Sequence, residues 1–275
     1  MKDHGEGLQE DLEKMVVSLD RRRALGLLVG AGLVPFLGCG GAAATTGSSG
    51  GGSTTATTGS SGGGSTGSCA NVPEETAGPF PGDGSNGANA LATSGVVRSD
   101  IRTSFGGMSG TAAGIPLTIE ITLVNAGAGC AALSGYAIYV WQCDRDAQYS
   151  LYTLADQNYL RGVQETDGSG KVTFTSIFPA CYPGRWPHIH FEIFPSLAKA
   201  TAAGNKVKTS QIALPEAACK EVFATAGYAS SVTSFAQISL SSDTVFADGS
   251  TLELASATGD ATSGYTAKLT VGIAA

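Results

Sequence analysis

The sequence predicts an all-β protein: an antiparallel β-sandwich core with long loops, preceded by an export signal and a Gly/Ser/Thr-rich linker. Three observations predict it. Segments between 114 and 273 alternate apolar and polar residues with a period of two, the mark of half-buried strands. Only 14% of the residues are charged and 39 of the 275 are Gly, with turn clusters such as TDGSG at 166–170 punctuating the strands. No segment carries a long 3.6-residue period, although 214–228 is compatible with a short helix.

The elements follow in order. In PLTIEITLV (116–124), Leu117, Ile119, Ile121 and Leu123 share one face. GYAIYVWQC (135–143) is apolar throughout and reads as a strand buried on both sides. KVTFTSI (171–177), HIHFEIF (188–194), STLEL (250–254) and YTAKLTVGI (265–273) complete the set. Strands of this kind bury one face each by packing as two sheets.

The N-terminal quarter has a different composition. Arg21, Arg22 and Arg23 precede the apolar run 24–38, which is too short and glycine-rich for a membrane span. Residues 1–38 instead fit an export signal of the twin-arginine type. FLGC (36–39) resembles a lipoprotein processing site, with Cys39 as the lipid-bearing residue. Residues 39–68 are low complexity, with ATTGSSGGGST at 44–54 and again at 56–66, and form a flexible tether. The folded domain is therefore expected at 69–275. The expected location is outside the cytoplasm, as a lipoprotein in the periplasm or on the cell surface, touching the membrane only through Cys39.

The net charge of -7 and the lack of a basic patch beyond the leader exclude a nucleic-acid partner. Past Cys39, five cysteines remain: Cys69, Cys130, Cys143, Cys181 and Cys219. An odd count allows at most two intramolecular bridges and leaves a free thiol. The pairing stays open, as does the oligomeric state.

The chain has only three histidines, His4, His188 and His190. In HIHFEIF, His188, His190 and Glu192 project from one face, while Ile189, Phe191 and Ile193 project from the other. The bland reading is a polar surface face. Two imidazoles on one face can also share a metal, and the preceding turn, YPGR (182–185), can fold Tyr182 and Arg185 over them.

YPGRWPHIHFEI resembles the iron-ligand segment of the intradiol ring-cleavage dioxygenases. EETAGPFPGDG (74–84), VVRSDIR (96–102), GIPLTIEITLV (114–124), LSGYAIYVWQCDRDAQYS (133–150) and 159–193 resemble further family blocks in family order. The likeness covers most of 72–275 and is greatest to exported, single-domain members, without the helical N-terminal dimerisation segment of bacterial catechol dioxygenases. It implies a non-haem Fe(3+) site with four ligands, Tyr149, Tyr182, His188 and His190. It implies that Tyr182 leaves the iron when substrate binds and acts as a base, and that Arg185 lies beside the substrate and stabilises its anionic intermediate. Trp141 and Gln142 match family residues on the strand leading into the site. The implied reaction joins a small aromatic diol with O2, cleaving the ring between the hydroxyl-bearing carbons to give a muconate-type diacid. Catechol, protocatechuate, hydroxyquinol and larger diols are all compatible with it.

The residue types suit that chemistry. Two phenolates are hard anionic donors that favour ferric iron, and they lower the net charge of a poorly solvated pocket. Two positions depart from the family pattern. Ala180-Cys181 replaces a usual Gly-Trp, with Cys181 expected either as a thiol beside the site or in a disulfide with Cys143 or Cys219. Ala147 replaces a usual Gly before Tyr149. Two other readings compete: a two-His-one-carboxylate metalloenzyme using Glu192, and an inactive β-sandwich binding module on the cell surface.

Overall fold

The computed structural model describes residues 69–275. The export signal, Cys39 and the tether lie outside them. Two sheets make the sandwich. In the first, β1 (Pro116–Asn125) is flanked on one side by β2 (Ala131–Ala132) and β5 (Lys171–Ile177), and on the other by β9 (Gly264–Ile273), which pairs with β8 (Ser256–Asp260). In the second, the order is β4 (Arg161–Glu165), β3 (Ala137–Trp141), β6 (His188–Phe194), β7 (Lys208–Ala213), antiparallel throughout. One pairing departs from the antiparallel expectation: β1 and β9 run parallel. Two short helices, α1 (Glu216–Phe223) and α2 (Ala229–Ala236), follow β7. No helix among the described residues is long and apolar enough to cross a membrane.

The core follows from strand alternation. Leu117, Ile119, Ile121 and Leu123 of β1 meet Ile138 and Val140 of β3 and Ile189, Phe191 and Ile193 of β6 between the sheets. The alternate residues of β3, Ala137, Tyr139 and Trp141, face a second apolar cluster with Phe80, Tyr149 and Tyr182. Loops thus cover the outer face of the second sheet. That is why β3 and β6 are buried along their whole lengths, and why β3 reads as uniformly apolar.

Two sequence expectations need correction, and one pairing left open is answered. STLEL is not a strand: Glu253 and Leu254 both donate to the Ser250 carbonyl, and the chain turns there. The strand begins later, at Ser256. Strands β4 and β7 were not expected, because RGVQE and KTSQIA carry polar side chains at buried positions. The cysteines form one bridge, Cys69–Cys130, with Cα atoms 5.5 Å apart across a separation of 61 residues. Closing a loop of that length removes about 4 kcal/mol of unfolded-chain entropy. Cys143, Cys181 and Cys219 are free and buried, so Cys181 is not held in a disulfide.

Candidate active site

Strand β6 places His188 and His190 on its outer face, and the register sets Trp141 of β3 opposite His190. The loop between β5 and β6 carries Tyr182, and the loop between β3 and β4 carries Tyr149. Their polar atoms form a chain. Tyr149 Oη lies 3.3 Å from Tyr182 Oη, Tyr182 Oη lies 3.1 Å from His188 Nε2, and the two Nε2 atoms are 3.1 Å apart. All four side chains are buried.

The imidazoles are oriented before any ligand arrives. His188 Nδ1 donates to the Trp186 carbonyl at 2.5 Å, which leaves Nε2 as a lone-pair atom facing Tyr182. His190 stacks flat on Trp141, with centroids 4.9 Å apart and planes 5° from parallel. Gly78 also approaches the ring closely: a Cβ there would sit 3.3 Å from His190 Cε1. His190 Nδ1 is buried without a partner among the described residues. Burial, with the Arg185 charge second, holds His188 neutral, well below the usual histidine range. Burial and then His188 do the same for His190.

Burial also pushes the Tyr149 phenol up, and Tyr182 adds to it. The Tyr182 phenol is likewise pushed up by burial, with the Arg185 guanidinium opposing. Two phenols of this kind ionise readily only around a cation. Spacing fits one. Metal bonds of about 2.0–2.1 Å put neighbouring ligand atoms about 2.9–3.4 Å apart, and the three separations fall inside that range. Neutral imidazole nitrogen and phenolate oxygen make a donor set suited to iron.

Arg185 is buried beside this group. Its Nε donates to Asp243 Oδ2 at 3.0 Å and its Nη2 to Gln211 Oε1 at 2.6 Å. Gln211 in turn donates to the Thr76 carbonyl. Asp243 also accepts from the backbone amides of Trp186, Val245 and Phe246, so it fixes both the arginine and the turn that carries it.

The solved structure of an intradiol ring-cleavage dioxygenase from Tetranychus urticae is similar to this chain, with a TM-score of 0.59 and 24% identity, covering 74% of this chain and 94% of that one. The chain has the intradiol dioxygenase fold. A second solved dioxygenase structure gives the same values. The dioxygenase domain of a carbohydrate-binding fusion protein from Streptomyces sp. SirexAA-E is 21% identical over 74% of this chain and 97% of its own, with a TM-score of 0.45. No family model matches the sequence, and no curated protein does.

Within this fold, Tyr149, Tyr182, His188, His190, Arg185 and Trp141 come together. Gln142 does not join them. Its amide donates to the Ile177 carbonyl at 2.8 Å and accepts from Ser176 Oγ at 3.0 Å, which ties the end of β3 to the end of β5. Glu192 sits on the histidine face, as expected, but its Oε1 accepts from Lys206 Nζ at 2.8 Å. Among the described residues no group of three His, Cys, Asp or Glu side chains is placed to hold a metal. The two-His-one-carboxylate alternative therefore lacks its carboxylate.

Cys181 is a neutral neighbour of the site. Burial, with Asp243 second, pushes its thiol up to about 12, and its backbone amide donates to Ser231 Oγ of α2. Ala147 has a φ of 62°, a left-handed conformation that glycine adopts without strain. Sequence reading did not find Asp243, Gln211, Gly78 or Phe80. Gly78 and Phe80 left a signal, in the ETAGPF stretch (75–80); Asp243 and Gln211 left none.

Proposed function

We propose that this chain is an intradiol dioxygenase that opens a catechol-type diol with O2, using ferric iron held by Tyr149, Tyr182, His188 and His190. The observation that carries the reading is the buried chain of four donor atoms, 3.1–3.3 Å apart, with the Arg185 guanidinium beside it. When bound, the iron would accept the diol oxygens and make the ring reactive toward dioxygen.

The side chains supply the rest. Tyr182 would hold the iron as a buried phenolate, and that phenolate can take a proton from the diol. Arg185 favours that phenolate while it is a ligand, and afterwards faces the anionic ring products as a fixed cation. Asp243 and Gln211 hold the guanidinium in place, so little reorganisation accompanies the reaction. Trp141 stacks on the His190 ring, and the Gly78 backbone packs close to it. Burial of all four ligands excludes bulk water, which protects reactive intermediates from hydrolysis.

The test is metal analysis followed by oxygen uptake. The purified protein should carry one iron per chain, absorb visible light, and consume O2 with a catechol. An active, colourless protein containing zinc would overturn the reading.

The sequence signals beyond the described residues support a second proposal, that the domain is displayed outside the cytoplasm on a lipid anchor at Cys39. Cys39→Ser should release it from membranes. A variant that stays with membranes after an alkaline wash would place the anchor elsewhere.

A further inference from the structure

Arg161 starts β4 and is buried, and its five N–H donors go to neutral acceptors. Nε donates to Ser150 Oγ at 3.1 Å. Nη1 donates to the Pro81 carbonyl at 2.7 Å and Tyr139 Oη at 3.1 Å. Nη2 donates to the Phe80 carbonyl at 2.9 Å and the Ser150 carbonyl at 2.8 Å. A guanidinium has five such donors in a rigid fork, so every one is used.

The acceptors flank Tyr149. Ser150 is its chain neighbour, and the Phe80 ring stacks on the Tyr149 ring with centroids 4.7 Å apart. The same loop is strained. Ala147 at φ 62° and Leu151 at φ 69° bracket Tyr149, and Leu160 at φ 55° precedes Arg161. Non-glycine residues hold such angles only where the surroundings over-determine them. Gly82 leaves room for the guanidinium, since a Cβ there would lie 2.7 Å from Arg161 Nη1. The β3–β4 ladder pairs Trp141 with Arg161 through the backbone, so the side chain is not needed to pair the strands.

We infer that Arg161 is a positioning residue: its guanidinium clamps the Tyr149 loop to the 80–81 segment and thereby sets where the Tyr149 phenol meets Tyr182 and the histidines. This rests on Tyr149 being a ligand, as proposed above, but the clamp can be read without metal. A lysine keeps the charge and loses the fork, so it cannot hold Phe80, Pro81 and Ser150 together.

The experiment compares wild type, Arg161→Lys and Ser150→Ala as full chains, metal-free and iron-loaded. In the metal-free protein, amide exchange across 147–152 should be faster by about tenfold or more in Arg161→Lys, the scale of losing one or two buried hydrogen bonds. Exchange in β6 should be unchanged. In the iron-loaded protein the visible band should move. Ser150→Ala removes one acceptor and should shift exchange the same way by less. If Arg161→Lys lowers Tm but leaves loop exchange and the band as in wild type, the residue is only structural and the inference is overturned. If Arg161→Lys does not fold, Ser150→Ala decides: wild-type exchange in 147–152 would overturn the clamp. Wild type that takes up no iron would sink the proposed function, while the exchange result would still decide the clamp.

Discussion

Arg185 and Asp243, 58 residues apart in sequence, form a buried ion pair with Nε and Oδ2 at 3.0 Å. The pair makes Arg185 less simple than a free cation beside the substrate. In the proposed mechanism Arg185→Leu removes the cation set beside the diol, so turnover should fall by about a hundredfold or more with iron retained. It also leaves Asp243 buried with amide donors alone. Asp243→Asn should cost about 3–5 kcal/mol, because an uncompensated charge stays buried. The double variant Arg185→Leu/Asp243→Asn should be more stable than the sum of the singles predicts. Urea unfolding of the four proteins, with iron per chain and kcat, checks this. Additive stability losses would show that the pair is not coupled.

Tyr182 is the hinge of the donor chain, 3.3 Å from Tyr149 Oη and 3.1 Å from His188 Nε2. Tyr182→Phe keeps the ring and deletes the oxygen. Its visible band should change and weaken, as one charge-transfer donor is lost. Turnover should fall by about a hundredfold or more, the scale of a lost proton acceptor. Absorption spectra at matched iron content measure it, and an unchanged spectrum would remove Tyr182 from the ligand set.

The histidine strand was legible because its signal is local. A period of two splits HIHFEIF into a donor face and a core face, and β6 follows it. The long strands β1, β5 and β9 were legible for the same reason. Strands β4 and β7 were not, because Arg161, Thr209 and Gln211 are polar residues buried against site and loop partners. Periodicity cannot distinguish such strands from loops. Pairings across long separations were equally invisible: β1 with β9, Cys69 with Cys130, and Arg185 with Asp243 each depend on the assembled sheets. Gln142 shows the limit of carrying over a neighbour. It follows Trp141 directly, yet its amide is spent on Ser176 and Ile177.

Glu253 gives a pH prediction away from the candidate ligands. Its carboxyl is buried, accepts from Ser210 Oγ through Oε1, and has no partner at Oε2 among the described residues. Burial, with Glu75 second, raises it from 4.5 to about 8. The folded state therefore holds a proton that the unfolded chain releases near 4.5. The stability this contributes is full below pH 4.5 and is lost as pH rises to about 8. Glu253→Gln mimics the protonated form at every pH. Its Tm should match wild type near pH 4.5 and exceed it by a few degrees above pH 8. A gap that stays constant from pH 4.5 to 9 would show that Glu253 does not titrate in this window.

Gly78 offers the sharpest steric test. It sits at φ +67°, and a Cβ would stand 3.3 Å from His190 Cε1. Trp141 stacks on the same ring at 4.9 Å and limits where it can move. Gly78→Ala therefore meets two penalties together: a left-handed backbone for a residue with Cβ, about 1 kcal/mol or more, and a contact that only movement of His190 or the 75–80 segment relieves. If the ring tilts, Nε2 leaves its place 3.1 Å from the His188 Nε2, and the site binds iron less tightly. Iron affinity should fall by about tenfold or more, the range seen when the support of a metal-ligating histidine is disturbed, while Tm of the metal-free protein drops only a few degrees. Gly129→Ala is the matched control for backbone strain, since φ there is +63° and a Cβ would meet nothing within 4 Å. Competition with a ferric chelator measures the affinities. If Gly78→Ala loses Tm but binds iron like wild type, the segment moves instead of the ring, and Gly78 has no part in holding His190.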